Sequence, residues 1–166
     1  MNIFLLDADH EKNAEYYFDK HVVKLPTEHV QMMSTVLRNT GVNIGFGSTH
    51  PNHPCTRWLR ESLSNWRYLV KLTEALHEEW RYRYNHDSTK YHKSYAMMLT
   101  LPEPNIPDIG PTPFTCAMDK TYIISDNPIE NYRNYYINSK QHLASWKKRN
   151  IPYWWKQFNK GNNHDF

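Results

Sequence analysis

Four side chains able to do chemistry recur along the stretch DKHVVKLPTEHVQMMSTVLR, residues 19–38: His21, Lys24, Glu28 and Gln31. Their spacing of i, i+3, i+7 and i+10 sets an imidazole, an ammonium, a carboxylate and an amide in one file along a helix. Such a file suits proton transfer and stabilisation of a developing positive charge. It equally suits a solvated helix face with one Lys–Glu pair at i,i+4. Val22, Leu25, Met33, Val36 and Leu37 fall on the opposite side and mark the face that a core would cover. Asp19 is placed to cap the helix, and Gly41 to stop it. Pro26 removes one backbone donor, which predicts a kink or a fresh helical start.

Other clusters compete for the same role. Asp7, Asp9 and His10 are metal-ligand types, but Asp9 also fits the N-cap of a short helix from His10 to about Phe18. His50 and His53 lie close to Cys55, yet a zinc site needs three or four ligands in closed geometry, and Cys116 sits far along the chain. With Pro54 at a first helical position, His53 or Asn52 reads as a cap instead. Arg57 and Arg60, one turn further on, are candidates for phosphate contact. After Glu130 the chain carries Arg133, Lys140, Lys147, Lys148, Arg149, Lys156 and Lys160 before the next acid, Asp165. Tyr153, Trp154, Trp155 and Phe158 are interleaved with these cations. That mixture fits nucleic acid, with cations on phosphates and rings on bases, and fits a terminal segment docked on the core by its aromatics.

Periodicity supplies the elements that must position these groups. Asn2–Leu6 reads as a short buried extended segment. Leu59, Leu63, Trp66, Leu69, Val70, Leu76 and Trp80 mark one long core helix from Cys55 to about Tyr84. A shorter helix is expected over Ser88–Thr100, and the five prolines of residues 101–116 require extended chain. Asn127, Pro128 and Glu130 open a last helix predicted to reach Trp146. The expectation is a mainly α protein: a single compact domain over residues 1–166, about four or five helices, an N-terminal extended segment and a Pro-rich loop. Its 166 residues include six Trp and twelve Tyr, enough to build one core. Two cysteines without a disulfide framework read as reduced thiols, and no apolar run reaches membrane-spanning length. The opening MNIFLLDAD lacks a signal peptide's basic region, so a cytoplasmic location is expected, the host's if the source is viral.

Two resemblances sharpen this. MNIFLLDAD, DKHVVK, HPCTRWLRES with Asn65 and Tyr68, YRY at 82–84, TPF, YRNYYINSK and the closing PYWW resemble a family of small, mostly uncharacterised tailed-phage proteins. The pattern Asp19-x-His21 followed by Glu28 is similar to the first long helix of the phage pyrimidine-dimer DNA glycosylases of endonuclease V type. The stretch His53–Leu69 is similar to their second long helix. That second resemblance implies an all-helical enzyme without metal or cofactor. Its N-terminal α-amine attacks C1′ of a damaged nucleotide, and its Glu stabilises the imine and promotes β-elimination. An α-amine titrates near about 8, which leaves part of it nucleophilic at neutral pH. The family presents Thr at its mature N-terminus, whereas this chain begins Met1-Asn2, so the nucleophile would be the Met1 amine or another group, Lys24 being able to form an imine if desolvated.

The resemblance thus implies Met1, Asp19, His21 and Glu28 as catalytic residues. DNA or a nucleotide is the expected partner. Its phosphates would be held by Lys24, His53, Arg57, Arg60, Lys147, Lys148 and Arg149, with Trp154 and Trp155 as stacking surfaces. A non-catalytic nucleic-acid-binding or partner-binding protein and a small nucleotide-binding or nucleotide-cleaving protein are the alternatives.

Overall fold

The computed structural model describes residues 1–155, and among these there are six α-helices and no strand. Asn2–Leu6 is extended and buried, as its apolar run requires, but it joins no sheet. Side chains satisfy its backbone instead. The Asn13 amide accepts from the Leu6 N–H at 2.8 Å and donates to the Phe4 carbonyl at 3.1 Å, and the Tyr17 hydroxyl donates to the same carbonyl at 2.7 Å.

Helix α1, His10–Tyr16, starts where Asp9 accepts from the Lys12 N–H. Helix α2, Asp19–Asn39, runs through Pro26 as one assigned helix, and its expected apolar face is buried throughout. Gly41 takes a left-handed φ of +89° just past its end, a conformation that glycine adopts without steric cost. The N-cap differs from expectation. Phe18 holds that position without a side-chain cap, and Asp19 is the first helical residue.

The single long helix expected from Cys55 to Tyr84 is two, α3 Pro54–Glu61 and α4 Leu63–Arg83. Ser62 between them is extended, at φ −155° and ψ 144°. The Pro-rich segment explains the break: the Leu63 N–H donates to the Pro107 carbonyl at 2.9 Å, and Ser62 Oγ accepts from the Ile109 N–H at 3.1 Å. Apolar periodicity continues across the break, so sequence spacing alone reads as one helix. Helix α5 is confined to Lys93–Met98 with His92 as its cap. Helix α6, Pro128–Ser139, begins with Asn127 and Pro128 as expected but stops short of Trp146. Beyond it the Ser145 carbonyl accepts from the Asp19 N–H at 2.9 Å, so this stretch caps α2 instead of extending α6.

Helix α4 packs against α1, α2, α3 and α5, and α2 packs against α3, α4 and α5. Phe18 stacks on Tyr136 with centroids 4.0 Å apart, which binds α6 to the same core. Cys55 and Cys116 are free thiols. Among the described residues no helix is long and apolar enough to cross a membrane.

Burial of His29 on α2 makes stability sensitive to acid. Its Nδ1 is 2.9 Å from Thr73 Oγ1, its Nε2 has no partner among the described residues, and burial pushes its pKa down to about 3. The unfolded chain binds the proton at about 6.5 and the folded chain does not, so stability falls as pH drops from 6.5 towards 3. The expected slope is about 1.4 kcal/mol per pH unit from this residue alone. Urea denaturation between pH 7 and 4 measures it, and His29→Gln should flatten the dependence; an unchanged slope would count against the assignment.

Candidate active site

Helix α2 delivers three of its file of polar residues to one place. His21, Lys24 and Glu28 line a cavity of about 220 Å³ together with Leu25 from the same helix, while Gln31 lies beyond it. The N-terminal segment crosses this helix and brings the Met1 amine to 3.3 Å from Glu28 Oε1. The Met1 and Glu28 side chains are 6% and 15% exposed, so the carboxylate is largely shielded from water. A primary amine beside a carboxylate in a small pocket can attack an electrophilic carbon and have the resulting cationic nitrogen stabilised.

His21 forms one wall. Its ring stacks on Phe4 at 4.6 Å, and its Nδ1 lies 2.7 Å from the Tyr136 hydroxyl. The Phe18 N–H donates to that same hydroxyl oxygen at 3.4 Å, so the hydroxyl links the imidazole to the start of α2. Burial, reinforced by Lys140 and Lys24, lowers the His21 pKa to about 3. The imidazole is therefore neutral at neutral pH and acts as a hydrogen-bonding group.

The remaining wall comes from the C-terminal half. Ala117, Tyr135 and Lys140 line the cavity, and Lys140 Nζ stands 5.3 Å from the centre of the Tyr135 ring. Lys24 and Lys140 thus bring two cations to the pocket from different helices. Sequence reading missed Lys140, Tyr135, Tyr136 and Phe4. Tyr136 lies on α6 and Lys140 is its C-cap four residues on, but nothing local says that this end of α6 meets α2.

Other expected site residues are placed elsewhere. The Asp19 carboxylate accepts from Arg83 Nη1 at 3.0 Å, Ser145 Oγ at 2.5 Å and the Lys147 N–H at 2.8 Å, and it does not line the cavity. His53 caps α3 by accepting from the Cys55 N–H at 3.1 Å. Burial lowers its pKa, and the Met1 amine and His50 add to that depression while Glu28 opposes it. Arg57 is exposed on α3, and Arg60 donates to the Pro51 carbonyl at 2.5 Å.

The C-terminal cations and rings correct the stacking expectation. Arg149 donates to both Glu79 oxygens, with Nη2 at 2.7 Å from Oε1, and lies 4.2 Å from the Tyr82 ring centre. Lys148 Nζ donates to the Tyr82 carbonyl and the Asn85 side chain, and Lys147 Nζ sits over Tyr84. Trp154 and Trp155 are 6% and 5% exposed, packed against Tyr16, Phe18 and Trp146. Burial of these large rings stabilises the core and leaves no open face for a base. Lys156, Phe158 and Lys160, which belonged to the same expectation, lie outside the described residues.

A roomier cavity of about 500 Å³ between α1 and α4 carries Glu11, Glu15, Glu74, Glu78 and Glu79 against Lys71 and Arg149. Its excess of carboxylates suits a polyanion poorly. The α2 cavity, with its two lysines, is the candidate site. Residues 1–92, which include the Met1–Glu28 pair, match the family described as pyrimidine dimer DNA glycosylase. No curated protein and no solved structure matches the chain.

Proposed function

Because the chain belongs to the pyrimidine dimer DNA glycosylase family, we propose that it is a DNA glycosylase and abasic-site lyase acting on a damaged or modified base. The observation that carries this reading is the Met1 amine 3.3 Å from Glu28 inside a pocket flanked by lysines. The amine's lone pair attacks C1′ of the target nucleotide while the C1′–base bond breaks and the base leaves with a proton. The sugar C1′–O4′ bond then opens, O4′ takes a proton, and a cationic imine joins the residue-1 nitrogen to C1′. Glu28 faces that nitrogen and stabilises its charge. Loss of a C2′ proton expels the 3′ phosphate by β-elimination, and water hydrolyses the imine. Lys24 and Lys140 hold flanking phosphates, with Arg57 and Arg60 further along the duplex, and neutral His21 hydrogen-bonds within the pocket. A base can reach such a pocket only when flipped out of the stack.

Borohydride reduction during reaction with a duplex that contains an abasic site tests this. The chain should be trapped covalently on the DNA and should cut the strand. Acetylation of the residue-1 amine should lower trapping by at least about 100-fold, the scale on which loss of a correctly placed reacting group acts. No adduct and no cleavage on abasic or damaged duplexes would sink the proposal. Trapping that survives acetylation but disappears in Lys24→Ala would transfer the nucleophile to Lys24.

A further inference from the structure

An N-terminal amine is attached to the fold at one end only, so its position is no better defined than that of residue 2. Asn2 is 7% exposed, and its side chain is fully engaged. Its Nδ2 donates to the Ala117 carbonyl at 2.8 Å. Its Oδ1 accepts from the Ile3 N–H at 2.8 Å and lies 2.8 Å from the Tyr132 hydroxyl. That hydroxyl accepts in turn from the Ala117 N–H at 3.1 Å, and Tyr132 is wholly buried on α6. Ala117 itself lines the pocket. Asn2, Tyr132 and Ala117 therefore form a linked polar cluster in the pocket wall, with the Thr115 carbonyl 3.0 Å from the Tyr132 hydroxyl as a second acceptor, and of these residues only Asn2 falls within the matched residues 1–92. A buried network satisfied in this way fixes the orientation of its members, because any displacement leaves a polar group unpaired.

We propose that Asn2 is a positioning residue whose clamp by Tyr132 and Ala117 holds the residue-1 amine against Glu28. The inference rests on the reading of that amine as nucleophile, and it extends that reading by making the C-terminal half part of the catalytic geometry. Asn2 lines the pocket beside Met1, but the polar atoms of its side chain are held by Ala117, Ile3 and Tyr132, so it acts through the single residue that carries the reacting nitrogen. Misplacement of a nucleophile by about 1 Å can cost about 100-fold in rate without changing how substrate is held. Asn2→Ala and Tyr132→Phe should therefore share one phenotype.

Single-turnover borohydride trapping on an abasic duplex, with DNA affinity measured in parallel, tests the clamp in the full chain. Each variant should trap about 10- to 100-fold more slowly while its DNA Kd stays within about twofold of wild type. Reductive methylation of the residue-1 amine by formaldehyde should proceed at least as fast as in wild type, since the amine is intact but loosely held. The double variant should fall no further than the worse single one, because both remove the same clamp. If Asn2→Ala does not fold, Tyr132→Phe, which deletes one oxygen, carries the test alone. Variants that trap at the wild-type rate, or that lose DNA affinity in step with rate, overturn the clamp while the amine mechanism survives. A wild-type chain that traps nothing overturns both.

Discussion

Glu28→Gln is expected to slow strand cleavage at an abasic site by about 100- to 1000-fold, the range found when a preorganised electrostatic group is removed. The substitution keeps the size of the side chain, so its packing beside Leu25 and under the Met1 amine is retained. What disappears is the negative charge 3.3 Å from the nitrogen that would become cationic in the proposed imine. In a pocket where Glu28 is 15% exposed, water cannot supply a substitute at comparable strength. DNA affinity should be unchanged or slightly higher, since a carboxylate near a phosphate backbone is repulsive. Single-turnover cleavage and binding titrations at one salt concentration separate the two effects. Cleavage by the Gln variant at the wild-type rate would remove Glu28 from the mechanism. A parallel fall in binding would reduce it to a structural group.

The largest expected effect on stability is at Arg83, and Arg83→Ala should cost about 3–5 kcal/mol. This guanidinium is entirely buried. Its Nε pairs with Glu79 Oε2 at 2.7 Å and its Nη1 with Asp19 Oδ1 at 3.0 Å. It also donates to the carbonyls of Tyr17, Ala14 and Glu15, where α1 ends and α2 begins. Truncation would remove a donor from the Tyr17 and Glu15 carbonyls and from part of two carboxylates, while the Ala14 carbonyl keeps the Tyr17 N–H, and a buried acceptor left unpaired carries its full desolvation cost. Arg149 remains on Glu79 and keeps that carboxylate partly compensated, which places the loss within this range and not above it. Urea denaturation of both chains gives the difference directly, and a loss below about 1 kcal/mol would show that the network adds little. Because Asp19 opens α2, the variant should also lose activity as its fold loosens, whereas Glu28→Gln should lose activity at full stability.

Much of this protein is decided within a few residues along the chain. Asp9, His53 and Asn127 each cap a helix through a bond to a backbone N–H two or three residues away, so residue type and spacing suffice to place α1, α3 and α6 at their starts. The file of His21, Lys24 and Glu28 is equally local, because helical geometry alone puts them in line. Their neighbours are not local. Neither the Met1 amine facing Glu28 nor Lys140 and Tyr135 closing the pocket from α6 follows from any period in the sequence, since each contact joins segments far apart in the chain. The break at Ser62 and the early end of α6 share that origin: backbone groups that would have continued a helix bond to the Pro-rich segment or to the start of α2. Tertiary packing also drew Trp154 and Trp155 into the core and set Arg149, 29% exposed, against the buried Glu79 carboxylate, because large rings are more stable among other rings than in water. Helical spacing drew the polar file of α2, and long-range packing decided that Glu28 within it faces an amine.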